Sequence, residues 1–411
     1  MPGNILTPSN IEVILEDRPG RGLFSRFRGF CKQKPEITAP QIQAPLYRTD
    51  ISGQIVFITY HFLNKEIALK KTNIKNLSID ELHSIIDDLG EKNHRKSQLM
   101  KWLYQKGVED FSEMTNIPVQ LREWLDARYR ISSLAPAEAV ESPEDGSTKF
   151  LMECDDGLML EAVLMEFEKH QTICISTQIG CPLRCLFCNT GMQGFERDLR
   201  SDEILNQVLY FRKAHIRPRR RFNIVFMGMG EPFLNLENLY RSMEILNHQD
   251  GFALGEKRIT VSTIGFPGKI IDAADSGLKF SLAISLSGTE DRSRKELMPG
   301  SAPIMETLSA AEYFAEKSGT RTTLEYVLIA GVNDTEENAR ALSDLTAGRP
   351  FKINLIPLNE WIGSELRRPS EERIDHFISI LLPRAPAVTV RRSRGRDISA
   401  ACGQLRFHRR D

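Results

Sequence analysis

The spacing of hydrophobic and polar positions changes character partway along the chain. Residues 71–135 read as a run of amphipathic helices. Ser78-Ile-Asp-Glu81 has the form of a capping box, opening a helix that stops at Gly90. Asn93–Lys106 reads as a second helix ended by Gly107, and Pro118–Tyr129 as a third with proline at its start. Next the period falls to that of a strand. Lys149–Glu153 and Leu158–Met165 flank Asp155-Asp156-Gly157, a strong hairpin-turn signal, and Gln171–Thr177 follows as another strand. Further strands are expected at Asn223–Met227, Arg258–Ser262, Phe280–Leu286, Thr322–Ile329, Lys352–Pro357 and Val388–Arg391. Helical patterns lie between most of them. Ser201 is expected to cap one, with Ile204, Leu205, Val208 and Leu209 on one face. Strands alternating with helices predict an α/β fold with a parallel sheet. About six such units, with no nucleotide fingerprint in the first turn, suit an open barrel better than a Rossmann sheet. Either way the site is expected at the C-terminal ends of the strands.

This pattern divides the chain into an N-terminal extension (1–70), a small helical domain expected to contact RNA (71–135), a hairpin linker carrying a candidate base (136–170), a barrel (171–405) and a basic tail (406–411). The extension contains a basic, aromatic stretch from Arg18 to Phe30, a linker at Pro35–Pro45 and one strand at Ile55–Phe62. No function is assigned to it. In the helical domain Lys101, Trp102 and Tyr104 combine charge with aromatic surface, with Trp102 expected in the core.

Composition narrows the class. Hydrophobic residues make up 41% and charged residues 27%, which excludes a wholly disordered or fibrous chain. No apolar run approaches the ~18 residues of a membrane span. Acids stand near the N-terminus where a secretion signal carries a basic and then an apolar stretch. A cytoplasmic protein with no membrane partner is expected. The net charge of −1 argues against binding nucleic acid by electrostatics alone. Local basic runs remain: Arg217-Pro-Arg219-Arg220-Arg221, Arg391-Arg-Ser-Arg394-Gly-Arg396 and Arg406-Phe-His-Arg409-Arg410. Each suits phosphate contacts, although a solvated face explains any one of them alone.

The cysteines carry the sharpest signal. There are seven, an odd number, and three fall within Cys181-Pro-Leu-Arg-Cys185-Leu-Phe-Cys188. Disulfide scaffolds do not crowd their cysteines in this way, so the spacing reads as a metal or redox site in a reducing compartment. Three thiolates from one loop can hold three irons of a [4Fe-4S] cluster. Electron-transfer clusters use a fourth cysteine, and none follows nearby, which leaves one iron open. Structural zinc is the alternative, but zinc sites usually pair two CxxC hooks. Further on, Gly228-Met-Gly230-Glu231-Pro232 follows a predicted strand. Glycines there let backbone approach a ligand, and the carboxylate can accept from an ammonium group. Ser262, Ser285, Leu286, Ser287 and Asn359 also lie at or just after strand ends, around the expected mouth.

A CxxxCxxC loop straight after the first barrel strand resembles the radical S-adenosylmethionine superfamily. Four further segments narrow the resemblance. They are Thr172-Ile-Cys174-Ile-Ser-Thr-Gln-Ile-Gly-Cys181, Gly194-Phe-Glu-Arg-Asp-Leu-Arg200, Lys352-Ile-Asn-Leu-Ile-Pro-Leu-Asn359 and Asp397-Ile-Ser-Ala-Ala-Cys402-Gly-Gln-Leu405. Together they resemble the ribosomal and transfer RNA adenine methyltransferases of the RlmN/Cfr type, over about residues 72–405.

The resemblance implies an open radical S-adenosylmethionine barrel and a methyl relay onto adenine in ribosomal RNA, with transfer RNA a second candidate. It implies Cys181, Cys185 and Cys188 as cluster ligands. S-adenosylmethionine would chelate the open iron and lie against Gly230, Glu231, Ser262, Ser285, Leu286, Ser287 and Asn359. Cys402 would take a methyl group, and a 5′-deoxyadenosyl radical would abstract a hydrogen from it. The carbon radical would add to the base. Glu161, in an otherwise apolar strand, would take the proton. Cys174 would then attack Cys402, free the product and leave a disulfide, which needs an external electron donor of the flavodoxin type. A monomer is expected. Carbon 2 is favoured over carbon 8 on the Gly230–Pro232 and Lys352–Pro357 segments. Two stretches depart from the family pattern, Ser287-Gly288 and Leu297–Pro303, and both concern ligand or substrate contacts. The rivals are a carbon-8 enzyme, a radical enzyme acting on another substrate, and an iron–sulfur RNA-binding protein without methyl transfer. Cys154 is expected in the core, and Cys31 carries no role.

Overall fold

The computed structural model describes residues 71–134, 136–217, 220–385 and 387–406, with the backbone of His408–Arg409. The expected strand at Ile55–Phe62, Cys31 and most of the basic tail lie outside these residues. The described residues belong to one compact unit.

The helical segment forms as its caps predict. Helix α1 spans Ile79–Asp88, and Ser78 and Glu81 exchange the two hydrogen bonds of a capping box, at 3.1 and 2.7 Å. Leu82, Ile85 and Ile86 are its buried face. Helix α2 (His94–Met100) passes into a π-helical turn over Lys101–Lys106, where an uninterrupted α-helix was expected, and Gly107 ends it at φ +63°. Trp102 is buried here as expected, its indole N–H donating to Asn116. Helix α3 runs Val119–Arg128.

This segment does not stand apart from the rest. Lys75 is buried and donates to the Ser132 carbonyl and the Asn206 amide oxygen, each at 2.8 Å. Ser132 also donates to Asp202 at 2.8 Å. Asp202 and Asn206 belong to a helix spanning Ser201–Ala214. Ser201 begins that helix rather than capping it: its N–H is taken by Asn238 at 3.1 Å, and Arg200 stands in the cap position.

Ten strands form one sheet in strict chain order. They are β1 (Pro136–Glu141), β2 (Thr148–Glu153), β3 (Leu158–Glu166), β4 (His170–Cys174), β5 (Arg221–Phe226), β6 (Ile259–Thr263), β7 (Ser281–Ser285), β8 (Thr322–Leu328), β9 (Phe351–Pro357) and β10 (Val388–Val390). The short pair His408–Arg409 adds to β3. From β4 to β10 every neighbour is parallel, and β1 to β4 are antiparallel. The stretch 136–170 is therefore part of the sheet and not a linker. Its hairpin turn brings β2 and β3 together, and β3 pairs directly with β4.

Residues of all seven parallel strands line a single cavity of about 650 Å³, so the sheet curls around it. Many inward side chains are small: Thr172, Val225, Thr260, Ala283, Thr323 and Thr389. A filled (β/α)₈ barrel packs bulky branched side chains in these layers. Here the interior stays open. Among the described residues no helix is long and apolar enough to cross a membrane.

Candidate active site

Two cavities meet inside the curl. The larger holds Cys174, Met227, Glu325, Lys352, Asn354 and Arg391 on its wall. The smaller, about 160 Å³, is walled by Cys181, Cys185 and Cys188 together with Gly228, Gly230, Glu231, Ser262, Ser285 and Asn359. Met227, Glu325 and Cys402 border both.

The three cysteines come from the loop that leaves the short strand Gln178–Gly180 and enters the helix Asn189–Gln193. Arg184 takes a positive φ of 54° to close this loop. Gly180 is required at its entry, because a Cβ there would lie 2.2 Å from the Gly194 carbonyl oxygen. Burial pushes the thiols of Cys181 and Cys185 up, Cys181 to about 12, and the neighbouring cysteines add to the rise. Cys188 is also raised by burial, against donors from Gly191 and Thr190 that favour its thiolate. Buried thiols that repel one another yet are met by backbone N–H groups suit a cationic iron centre, which relieves the repulsion and keeps the donors. Among the described residues no three His, Cys, Asp or Glu side chains close around a single-ion site. The thiols surround a space instead.

The rest of the smaller cavity fits a compact, polar, cationic ligand. A Cβ at Gly228 would lie 2.6 Å from the Ile175 carbonyl oxygen, and one at Gly230, where φ is +97°, 2.5 Å from Gln178 Cβ. These glycines let the turn after β5 close on the chain that leaves β4. Gln178 accepts the Glu231 N–H at 2.8 Å and fixes the turn. Burial raises the Glu231 carboxyl to about 7, against hydrogen bonds from Thr263 and the N–H groups of Ile264 and Phe233. Asn359 donates to the Cys402 carbonyl at 3.1 Å, while its buried Oδ1 has no partner among the described residues. An unpaired acceptor on a cavity wall is a place for a ligand donor. Ser262 is tied to Glu325 at 2.7 Å.

Leu286 and Ser287 depart from expectation, since neither is on the cavity wall. Leu286 is sealed in the core, and the Ser287 hydroxyl is engaged by the Val327 N–H at 3.2 Å. The chain turns through φ +47° at Ser287, which points that side chain back into the fold.

Glu161 is 2% exposed and lies on the same face of β3 as Val163 and Met165, which line the large cavity. Its Oε2 accepts the Arg406 N–H at 2.8 Å, and its Oε1 lies 3.1 Å from Lys149 Nζ. The sequence strand therefore faces inward. Cys174 ends β4 and shares the large cavity with Cys402. Burial pushes the Cys174 thiol up to about 12, Cys402 adds to this, and Arg391 opposes it.

Arg391 was missed as a site residue. Read from the sequence it belongs to a basic run suited to phosphate contacts, with a solvated face as the alternative. It is in fact half-buried, 3.4 Å from the Met227 sulfur and 4.0 Å from Glu325, and Cys402 is the main group favouring its charge. Glu325 and Lys149 were also missed. A charged residue on a strand at the inward parity was the available signal, and it is weak until strand facing is known. Arg392 and Arg394 of the same run do line the large cavity, and Lys352 joins them. Arg220 is engaged with the carbonyls of Phe167 and Glu168 instead. Cys154 is buried as expected.

The comparisons with known proteins agree with this architecture. Residues 72–131 match the ribosomal RNA large subunit methyltransferase N-terminal domain, and residues 175–342 match the radical SAM superfamily. A dual-specificity RNA methyltransferase RlmN from Geobacter sulfurreducens is 44% identical over 336 residues, covering 81% of this chain and 92% of that protein. One from Pelobacter propionicus is 42% identical over 340 residues, covering 82% and 96%. The crystal structure of a radical SAM methyltransferase from Sphaerobacter thermophilus superposes with a TM-score of 0.76 at 40% identity, covering 82% of this chain and 99% of the other. With a curled parallel sheet, a three-cysteine loop at its mouth and relatives matched nearly end to end, the chain belongs to the radical S-adenosylmethionine RNA methyltransferases of the RlmN type.

Proposed function

We propose that this enzyme methylates carbon 2 of an RNA adenine by way of a methylated cysteine and a transient disulfide. The observation that carries the reading is the position of Cys402 on the wall of both cavities, with Cys174 on the wall of the larger. A carrier that is loaded in one chamber and spent in another must border both.

Carbon 2 of adenine lies between two ring nitrogens and is electron-poor, so direct attack on a sulfonium methyl is not open to it. Cys181, Cys185 and Cys188 would hold a [4Fe-4S] cluster, and Glu231, Ser262, Ser285 and Asn359 would hold S-adenosylmethionine. When bound, these groups supply a methyl group and a hydrogen-abstracting radical. Cys402 Sγ carries the methyl. After loss of one hydrogen, its carbon adds to the base, which has been extruded into the large cavity. Glu161 takes the proton from the base carbon, and the cluster, left oxidised once it has given an electron to generate the radical, would supply the one-electron acceptor. Cys174 Sγ then attacks Cys402 Sγ. The S–S bond forms as the S–C bond breaks, and the bond pair stays with the carbon, which takes a proton to become the product methyl group. An external two-electron donor restores both thiols.

Carbon 2 is preferred over carbon 8 because the Gly230–Pro232 and Lys352–Pro357 segments and the relatives' RlmN description favour that branch. Lys352, Arg392 and Arg394 around the large cavity suit the phosphates that flank an extruded nucleotide. Ribosomal RNA is the first substrate to try, and transfer RNA the second.

The test uses anaerobically reconstituted enzyme and unmodified large-subunit ribosomal RNA. Cys402→Ala should transfer no methyl. Cys174→Ala should accumulate a covalent protein–RNA species that survives denaturation and is removed by nuclease. Normal turnover by Cys174→Ala refutes the disulfide step. Mass spectrometry of the nucleosides decides between 2- and 8-methyladenosine.

A further inference from the structure

The wall of the large cavity holds charged groups, hydroxyls, thiols and apolar side chains, but among the described residues a single carboxamide, that of Asn354. Asn354 lies mid-strand on β9, opposite Glu325 of β8 and Thr389 of β10. It shares a strand face with Lys352, which also lines the cavity. The Thr389 hydroxyl donates to Asn354 Oδ1 at 3.1 Å. A second lone pair remains on that oxygen, and Nδ2 has no partner among the described residues. A planar acceptor and donor, steadied from β10, are therefore left for a ligand. The neighbouring groups offer less. Thr172, Thr260 and Thr323 each present one hydroxyl, Lys352 only donates, and Glu325 only accepts and is already engaged by Ser262 at 2.7 Å.

Adenine carries a matching donor and acceptor on two edges, the N6 amino group beside N7 and the same amino group beside N1. An asparagine amide takes the first with two parallel hydrogen bonds, Oδ1 accepting from N6 and Nδ2 donating to N7. The reaction decides between the edges. Carbon 2 adjoins N1 and has to stay open to the carbon carried by Cys402, whereas the N6/N7 edge lies across the ring from it. Carbon 8 adjoins N7 and is covered by the same grip. Guanine places O6 where adenine has its amino group, so the Asn354 oxygen would meet another acceptor.

We propose that Asn354 selects adenine by pairing with N6 and N7 of the extruded base, and so turns carbon 2 away from the amide and leaves it free to react. The proposal rests on the reading of the large cavity as the seat of the base and of carbon 2 as the atom methylated. It goes beyond that reading by naming the side chain that tells adenine from guanine and sets the ring's orientation.

A substrate with one atom changed tests the contact. A large-subunit ribosomal RNA fragment containing the methylated adenine is made with adenine or with 7-deazaadenine at that position, and single-turnover methylation of each is timed. The second base keeps N6 and loses the N7 acceptor. Asn354→Ala should methylate the adenine fragment about 5- to 150-fold more slowly than wild type, the range of a bidentate base contact. The wild-type preference for adenine over 7-deazaadenine should exceed that of Asn354→Ala by about 2- to 10-fold, the share of one hydrogen bond. Any preference left in the variant reports the altered ring and not the contact. Asn354→Asp keeps an acceptor for N6 and loses the donor to N7, so it should show the same narrowed preference, and it decides the matter if Asn354→Ala does not fold. A side chain that only props up β9 would slow both fragments alike. Equal preferences in wild type and variant therefore overturn the proposal. Mass spectrometry of the product nucleoside keeps the two readings apart: 8-methyladenosine overturns the carbon-2 reading, whereas 2-methyladenosine with equal preferences overturns only the assignment of Asn354.

Discussion

Replacing Arg391 by methionine removes the charge that faces the sulfurs of Cys174 and Cys402, the proposed relay pair, and keeps an unbranched stem. Burial pushes the Cys174 thiol up to about 12, with Cys402 raising it further and Arg391 lowering it. At about pH 8 such a thiol is ionised to only ~10⁻⁴. The proposed resolving step needs the thiolate. In the protein–RNA adduct the Cys402 sulfur is a thioether and carries no charge, so its repulsion is gone while the attraction of Arg391 remains. An opposite charge within ~4–6 Å lowers an acid by about 1–3 units. Fewer thiolates form, but the more basic thiolate is the better nucleophile, so the Arg391→Met enzyme should resolve its adduct about 3- to 30-fold more slowly at fixed pH. Its rate should climb close to tenfold per pH unit over roughly pH 7–9, since each unit multiplies the thiolate by ten. Arg391→Lys should recover much of the loss. The assay is a single-turnover reaction, quenched in denaturant, with the covalent band measured over time at several pH values. An Arg391→Met enzyme that clears its adduct at the wild-type rate, or at a rate indifferent to pH, refutes the argument.

Other outcomes follow from the same geometry. Cys185→Ala should lower the iron bound per chain after reconstitution and abolish reductive cleavage of S-adenosylmethionine; full iron content would remove the cysteine from the ligand set. Gly230→Ala meets Gln178 Cβ at 2.5 Å in a left-handed backbone, so overpacking of about 1–3 kcal/mol adds to a conformational cost of about 1–2 kcal/mol. Its melting temperature and its affinity for S-adenosylmethionine should both fall, and calorimetry reads each. Burial lowers the Lys75 amine to about 8 from an ordinary 10.5. Below about pH 8 both folded and unfolded chains carry the proton and the burial cost is full. Between the two values the unfolded chain binds more protons, so stability should rise with pH, by on the order of 3 kcal/mol at the limit. Thermal melts of Lys75→Met should lose that part of the alkaline rise; an identical pH dependence in the variant would discount it.

Element types were legible because the periods are clean. The capping box at Ser78, the Asp-Gly turn at 156–157 and the β-branched runs of the parallel strands each have a local cause, and the elements formed within a residue or two of their expected bounds, except the strand expected at Gln171–Thr177, which ends three residues early at Cys174. The π-turn after Met100 was not legible, since it arises where Trp102, Leu103 and Tyr104 are all buried and the hydrogen bonds shift to suit. The place of 136–170 in the sheet was also hidden, because a hairpin looks the same in sequence whether its outer edge is paired or free. At the site, the residues whose backbone spacing is the message are the cysteine loop, the glycine turn, Cys174 and Cys402, and the structure gathers them on the walls of the two cavities. Lys149, Glu325 and Arg391 act through distant partners, at sequence separations no local pattern records. Ser287 misled for the opposite reason, since a strand-end serine is a reasonable ligand until the chain twists it away.

The small residues inside the curl carry a different lesson, about durability. Leaving Thr172, Thr260, Ala283, Thr323 and Thr389 where branched apolar side chains would pack forgoes burial that ordinarily contributes about 1.5–3 kcal/mol per large side chain. The protein's rigidity must come from the outer layers, where the helices meet the sheet. Interior positions are then the ones at which hardiness and turnover pull in opposite directions. Valine or leucine at Thr260 or Ala283 should make the resting protein harder to unfold while shrinking the room for a nucleotide. Screens that select only for heat resistance would be expected to enrich such substitutions, and so to return proteins that survive well and do nothing.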